Sequence, residues 1–259
     1  APGVTIAGEE ALALDARLFV QTGAVGDMTI SAVIAGTNNL VKTGDGTLVL
    51  SGTNTFTGGI SVRGGAVSVA SDANLGSGGL SLEYGTLEVT ATTNIDNFVY
   101  VTETGTIDIA SGVTATLSNS MGSGGINPGP ASLTKTGAGE LTLSGQNSFT
   151  GTVTVGAGSL NLSGGLALED TVAVDVAAGA TLKLSGNETI GSLAGAEGSA
   201  VDLGESTLTF GDTSDTLFNG VISGSGGLIK AGPQGLTLSG QNTYTGSTIV
   251  EGGQLQLAQ

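Results

Sequence analysis

The chain has 259 residues, 39% of them hydrophobic and 3% aromatic, and its 22 acidic against 6 basic side chains leave a net charge of −16. That balance excludes a phosphate-binding surface, because nucleic acid and anionic lipid need clustered cations and Arg17, Lys42, Arg63, Lys135, Lys183 and Lys230 are too few to build one. Cysteine and histidine are absent, which removes disulfides, thiolate or imidazole catalysis and the usual zinc ligands together.

Residues 1–8 carry no targeting pattern of charged then apolar residues, so any such segment is expected outside this sequence. Leu12, Leu14, Ala16, Leu18 and Val20 alternate with Ala13, Asp15, Arg17 and Phe19, and a period of two predicts a strand. Short apolar pairs follow at Met28/Ile30, Leu48/Leu50, Val67/Val69, Leu87/Val89 and Ile107/Ile109, each bounded by Gly, Ser, Asn or Thr. No run approaches the roughly 18 apolar residues of a membrane helix, and direct membrane insertion of this segment is not expected.

The spacing of these pairs is regular. Leu48 precedes Val67 by 19 residues, Val67 precedes Leu87 by 20 and Leu87 precedes Ile107 by 20; 19 returns from Leu141 to Leu160 and from Leu236 to Leu255. The unit is thus a coil of about 20 residues. Coils stacked as parallel strands about 4.8 Å apart place equivalent residues in inward columns, and about a dozen coils make a rod of roughly 60 Å. Such a coil cannot bury its own apolar edge, so stacking stabilises it. The 47 glycines and the asparagines suit tight corners, some at positive φ, while Thr and Val suit the strands between them.

One stretch recurs without gaps at residues 40–69, 133–162 and 228–257, sharing the pattern L-x-K-x-G-x-x-x-L-x-L-x-G-x-N-x-[FY]-T-G. Repetition of this kind means the same local structure built again in a stacked array. Its segment SGxNx[FY]TG reads as a corner, with Asn54, Asn147 and Asn242 in turn positions and Phe56, Phe149 or Tyr244 packing over the turn. Residues 118–131 are poor in apolar side chains and carry Pro128 and Pro130, so they are expected to leave the rod as a loop. From 163 to 210 the alternation continues while coil lengths drift, and nothing separates independent domains, so residues 1–259 read as a single body.

Chemistry-bearing constellations are few. A Ser-Lys pairing is formally open, but Lys42, Lys135 and Lys230 sit in structural copies of one another. Glu88 and Asp108 lie 20 residues apart on the outside of adjacent coils, as do Glu83 and Glu103. Carboxylates stacked about 5 Å apart match a retaining glycosidase pair or a Ca²⁺ site, but a solvated like-charge face explains them as well. Sugar cleavage wants a cleft with stacking aromatics, which 3 Tyr, 6 Phe and no Trp hardly furnish. No catalytic residue, metal ligand or cofactor is therefore assigned.

The repeated block resembles the passenger-associated repeat of bacterial autotransporters, and ETIGSLAGAEGSAVDLGESTLTF with LFNGVISGSGGLIKAG (residues 188–210 and 217–232) resembles that family's inter-repeat sequence. The resemblance implies an all-β, right-handed, single-stranded parallel β-helix, exported by type V secretion and displayed on the bacterial surface, with the translocator barrel outside this sequence. It implies a passenger segment more firmly than an activity. Expected partners are host or neighbouring-cell surface components, or the chain itself. The leading expectation is an adhesive or self-associating stalk. A structural spacer aiding secretion and a polysaccharide-acting β-helix enzyme are the alternatives.

Overall fold

The computed structural model describes residues 4–23, 26–122, 130–211 and 214–258. Every strand pair between them is parallel, and successive strands in each stack come from successive turns of the chain. The result is a three-faced parallel β-solenoid. Its first face is one unbroken 13-stranded sheet running from Val4–Ile6 to Gln254–Leu257, about 58 Å long at a strand spacing of ~4.8 Å. The second face holds the pair Leu12–Leu14 and Ile34–Gly36, then a seven-stranded stack from Thr93–Ile95 to Val221–Ser223. The third holds six strands from Leu18–Gln21 to Met121–Gly122, then four from Glu188–Ile190 to Thr248–Val250.

The periods read from the apolar pairs are the registers of the first face. Leu48 pairs with Val67, Val67 with Leu87 and Leu87 with Ile107, and all four are fully buried. Alternation decides which side is wet: in Thr86–Val89 the residues Leu87 and Val89 are buried while Thr86 and Glu88 are partly exposed. Columns of this kind merge into one continuous apolar core.

Three expectations need correction. The alternation from Leu12 to Val20 is two strands on two faces, Leu12–Leu14 and Leu18–Gln21, because the chain rounds a corner at Asp15–Arg17 without breaking its parity. Within the loop expected at 118–131, Met121–Gly122 is instead a strand that pairs with Val99 and Tyr100 on the third face, with Met121 fully buried; residues 123–129 lie outside the described residues. The three repeats build the same local structure on different faces. The lysine strands Leu40–Thr43 and Leu228–Lys230 belong to the third face, whereas Ser132–Thr136 belongs to the first. The middle repeat is thus rotated by one face relative to the other two.

That rotation puts the strandless segment of the middle repeat on a different face from those of the other two. In each repeat the segment SGxNx[FY]TG forms no strand, so it interrupts the second face at residues 51–58 and 239–246 and the third face at 144–151. Phe56 and Phe149 do not lie over the turn as expected but point inward and are fully buried, filling the width that a missing strand would leave. Tyr244 is only partly buried against the core, in the last described coil.

Candidate functional site

The repeated lysines stand in inward columns, at positions that apolar residues occupy in the neighbouring coils. Lys42 lies between Val20 and Val62, Lys135 between Ile107 and Val155, and Lys230 between Phe210 and Val250. The exposure of each is 2% or less. Each ammonium reaches the corner that follows its strand and donates to carbonyls there. Lys42 Nζ meets Thr43 O at 3.1 Å, Gly44 O at 2.7 Å and Gly64 O of the next coil at 2.9 Å. Lys135 Nζ repeats this with Thr136 O at 2.5 Å, Gly137 O at 2.8 Å and Ala157 O at 3.1 Å, and Lys230 Nζ donates to Ala231 O and Gly232 O. Gly65 shows why the pattern demands glycine here: its φ is +59°, and a Cβ would lie 2.7 Å from Lys42 Nζ. Burial lowers the pKa of Lys42 and pushes that of Lys135 down to about 8, opposed in each case by a nearby aspartate, Asp45 or Asp108. These lysines are corner caps. The signal was in the sequence, since Leu40 and Lys42 are two apart and so share a side of the strand.

The asparagines hold coils together. Asn54 accepts from Ile34 N of the coil before at 2.8 Å and donates to Asn74 O of the coil after at 2.5 Å. Asn147 accepts from Met121 N at 2.6 Å and donates to Ala167 O at 2.6 Å. They hold the expected corner positions, in the strandless segments, but without a left-handed backbone, since among the described residues the one non-glycine at positive φ is Tyr84. Glu188 does similar work, accepting from Leu168 N at 2.9 Å and Ala167 N at 3.3 Å while almost fully buried; burial raises its pKa, and these hydrogen bonds oppose the rise.

The carboxylate pairs separate into one that forms and one that does not. Glu88 and Asp108 are direct partners in register, outward on the first face. Asp108 accepts from Thr136 Oγ1 at 2.7 Å. Burial raises the pKa of Glu88; a hydrogen bond from Ser68 opposes this, and the charges of Asp108 and Asp27 add to it. The pair lies between two hydroxyls, Ser68 and Thr136, and no group of three carboxylates that could hold a metal ion forms among the described residues. Glu83 and Glu103 are not stacked. The third face runs at 19 residues there, with Leu82 opposite Val101, so Glu83 falls opposite Thr102. Glu83 instead binds Arg63 Nε at 3.1 Å and Ser61 Oγ at 2.9 Å, while Glu103 is exposed.

Sequence reasoning missed a groove on the third face. There the outward column Phe19, Val41, Ser61, Ser81, Tyr100 follows from the register, and a groove of about 290 Å³ runs over it between Arg17, Arg63 and Tyr100. Those three residues are spread over 84 positions of sequence and meet only because the coils stack, so no local pattern marks them.

A family model described as the passenger-associated-transport-repeat matches residues 40–69, 133–162 and 228–257. The chain is similar to the Neisserial autotransporter lipoprotein NalP of Neisseria meningitidis serogroup B, 51% identical over 63 residues, which is 21% of this chain and 6% of that protein. It is also similar to the Adhesin BmaC autotransporter of Brucella suis biovar 1, 38% identical over 138 residues, which is 52% of this chain and 4% of that protein. The matched region thus spans only a small part of the length of these relatives. No solved structure matches the chain.

Proposed function

We propose that the chain, which carries three passenger-associated transport repeats and is similar in part to two autotransporters, is a passenger segment that acts at the bacterial surface as a stalk adhering to other cells or to copies of itself. The observation that carries this reading is the first face. Thirteen parallel strands in one sheet present outward columns such as Thr29, Val49, Ser68, Glu88, Asp108 and Thr136 at a constant pitch. Side chains repeated every ~4.8 Å along a rigid rod let many weak contacts add. The similarity to a protein named an adhesin supports the same reading.

A specific observation favours a spacer role for the repeats themselves. Their shared lysines and Asn54, Asn147, Phe56 and Phe149 are buried, and the side chains they share on the outside are the small hydroxyls at Ser51 and Thr57 and the same positions of the other copies. The repeats build the rod, and contact falls to the outward residues. The whole of residues 1–259 acts as one body in this reading, and no catalytic role is assigned to the Glu88/Asp108 pair.

Beads coated with the purified chain test the proposal. Clumping of coated beads, or their retention on cells over uncoated beads, is the expected outcome. Beads that stay dispersed and bind no cell, together with a single sedimenting species at all micromolar concentrations, would leave only the spacer.

A further inference from the structure

Cations are scarce on this molecule, and their placement is uneven. Three of the four lysines are buried, and Lys183 is tied to Glu140 at 2.5 Å. The remaining two cations, Arg17 and Arg63, line the same groove on the third face. Arg17 is exposed on the stretch that enters Leu18–Gln21. Arg63 is held from behind: its Nε donates to Glu83 Oε2 at 3.1 Å and to Ser61 Oγ at 3.2 Å, which orients the planar guanidinium.

The groove also has a platform. Tyr100 is 37% exposed and packs against Phe98 with ring centroids 4.6 Å apart. Its ring reaches back over the preceding coil at Gly79, where a Cβ would come within 3.0 Å of the Tyr100 ring. Glycine at 79 therefore allows the ring to reach across the floor. The rest of the floor mixes the apolar Val41 and Ile60 with two hydroxyls, Ser61 and Ser81, which donate to Glu83 Oε1 at 2.9 and 3.4 Å.

We propose that this groove binds a carboxylated oligosaccharide, with Tyr100 stacking on a sugar ring and Arg17 and the free edge of Arg63 taking carboxylates. The inference rests on the adhesive reading above and names its ligand class. A pyranose offers an apolar face to an aromatic ring and hydroxyls to Ser and Glu, while a guanidinium matches a carboxylate in a planar two-point pairing. From Val41 to Tyr100 the groove floor spans three strand steps, about 14 Å, with Arg17 beyond its end, enough for a short linear chain. Two arginines are too few for the distributed phosphate contacts of nucleic acid. An otherwise acidic surface repels polyanions elsewhere, so binding is confined to this groove.

The test is a calorimetric titration of the whole chain with tetragalacturonate, against its methyl ester as the uncharged twin. Saturable binding of the acid at one site is expected, with the ester weaker by about tenfold or more. Arg17→Gln should raise Kd by about tenfold and Tyr100→Ala by about fivefold, each with an unchanged circular dichroism spectrum because both residues are exposed. No saturable binding, equal binding of the ester, or binding untouched by both substitutions would overturn the proposal. Absence of sugar binding with a dimer that Arg17→Gln dissolves would also overturn it, and would assign the groove to a second copy. The titration reads the groove alone, whereas bead adhesion reads the adhesive role. Adhesion that survives in Arg17→Gln and Tyr100→Ala would leave that role standing without this ligand.

Discussion

Lys135 occupies a place in the core that a leucine could fill, between Ile107 and Val155, and what distinguishes it is the corner beyond its strand. There the chain turns without strand partners, and three carbonyl oxygens converge on one ammonium. Lys135→Met keeps the bulk and removes the donor. Buried acceptors left unpaired should lower stability by about 1–3 kcal/mol, read as a fall in the denaturant midpoint. The same residue sets a pH dependence of known sign. Its folded pKa is lowered to about 8 by burial, below the ordinary lysine value of 10.5, so between those values the unfolded chain binds more protons. This contribution therefore makes stability rise from about pH 8 to about pH 10.5. The wild type minus Lys135→Met difference, measured at several pH values, should show that slope, and a flat difference would contradict it.

Among the elements, the strandless segments replace a ladder of backbone bonds with one side chain that bonds up and down. Asn147 bridges Met121 N and Ala167 O, and Asn54 bridges Ile34 N and Asn74 O, whereas Asn242, among the described residues, accepts from the coil before it, Ile222 N at 2.9 Å, with no coil after it. Alanine at Asn147 or Asn54 should therefore cost about 1–3 kcal/mol, and at Asn242 distinctly less, by equilibrium denaturation. Equal costs at all three positions would mean that the bridges do not carry the segment. The strands of the first face were legible in the sequence because Leu48, Val67, Leu87 and Ile107 announce both parity and period. Which face each element joins was not. Asp108 and Thr136 are register partners 28 apart rather than about 20, so counting residues does not give the face on which the middle repeat begins. The Arg17, Arg63 and Tyr100 groove depends on a 19-residue register at Leu80–Leu82 that the apolar pairs of the first face do not report.

For the whole molecule, charge and pitch are the two global quantities. A net charge of −16 works against compactness, and burial holds the carboxyls of Glu88 and Glu188 above their usual range. Both groups bind protons more readily folded than unfolded, so stability should grow as pH falls from neutral toward about 4.5. The thermal midpoint should be higher near pH 5 than near pH 7.5, by a smaller margin in Glu188→Gln. Pitch is tested by deletion. Thr86 and Thr106 are register partners, so removing residues 86–105 takes out one complete turn and joins Gly85 to Thr106. On the third face it leaves Leu80–Leu82 to stack on Met121–Gly122, because both strands already pair with Val99–Val101. Interfaces between neighbouring coils supply most of the stability of such an array, so loss of one coil from a register-preserving position costs about one interface. Removing residues 86–95 instead leaves half a turn, and every inward side chain downstream would have to change face or column. The full-turn deletion should keep a β-sheet circular dichroism spectrum and a cooperative melt, and the half-turn deletion should lose cooperativity. If the two variants melt alike, coil register is not what holds this rod together.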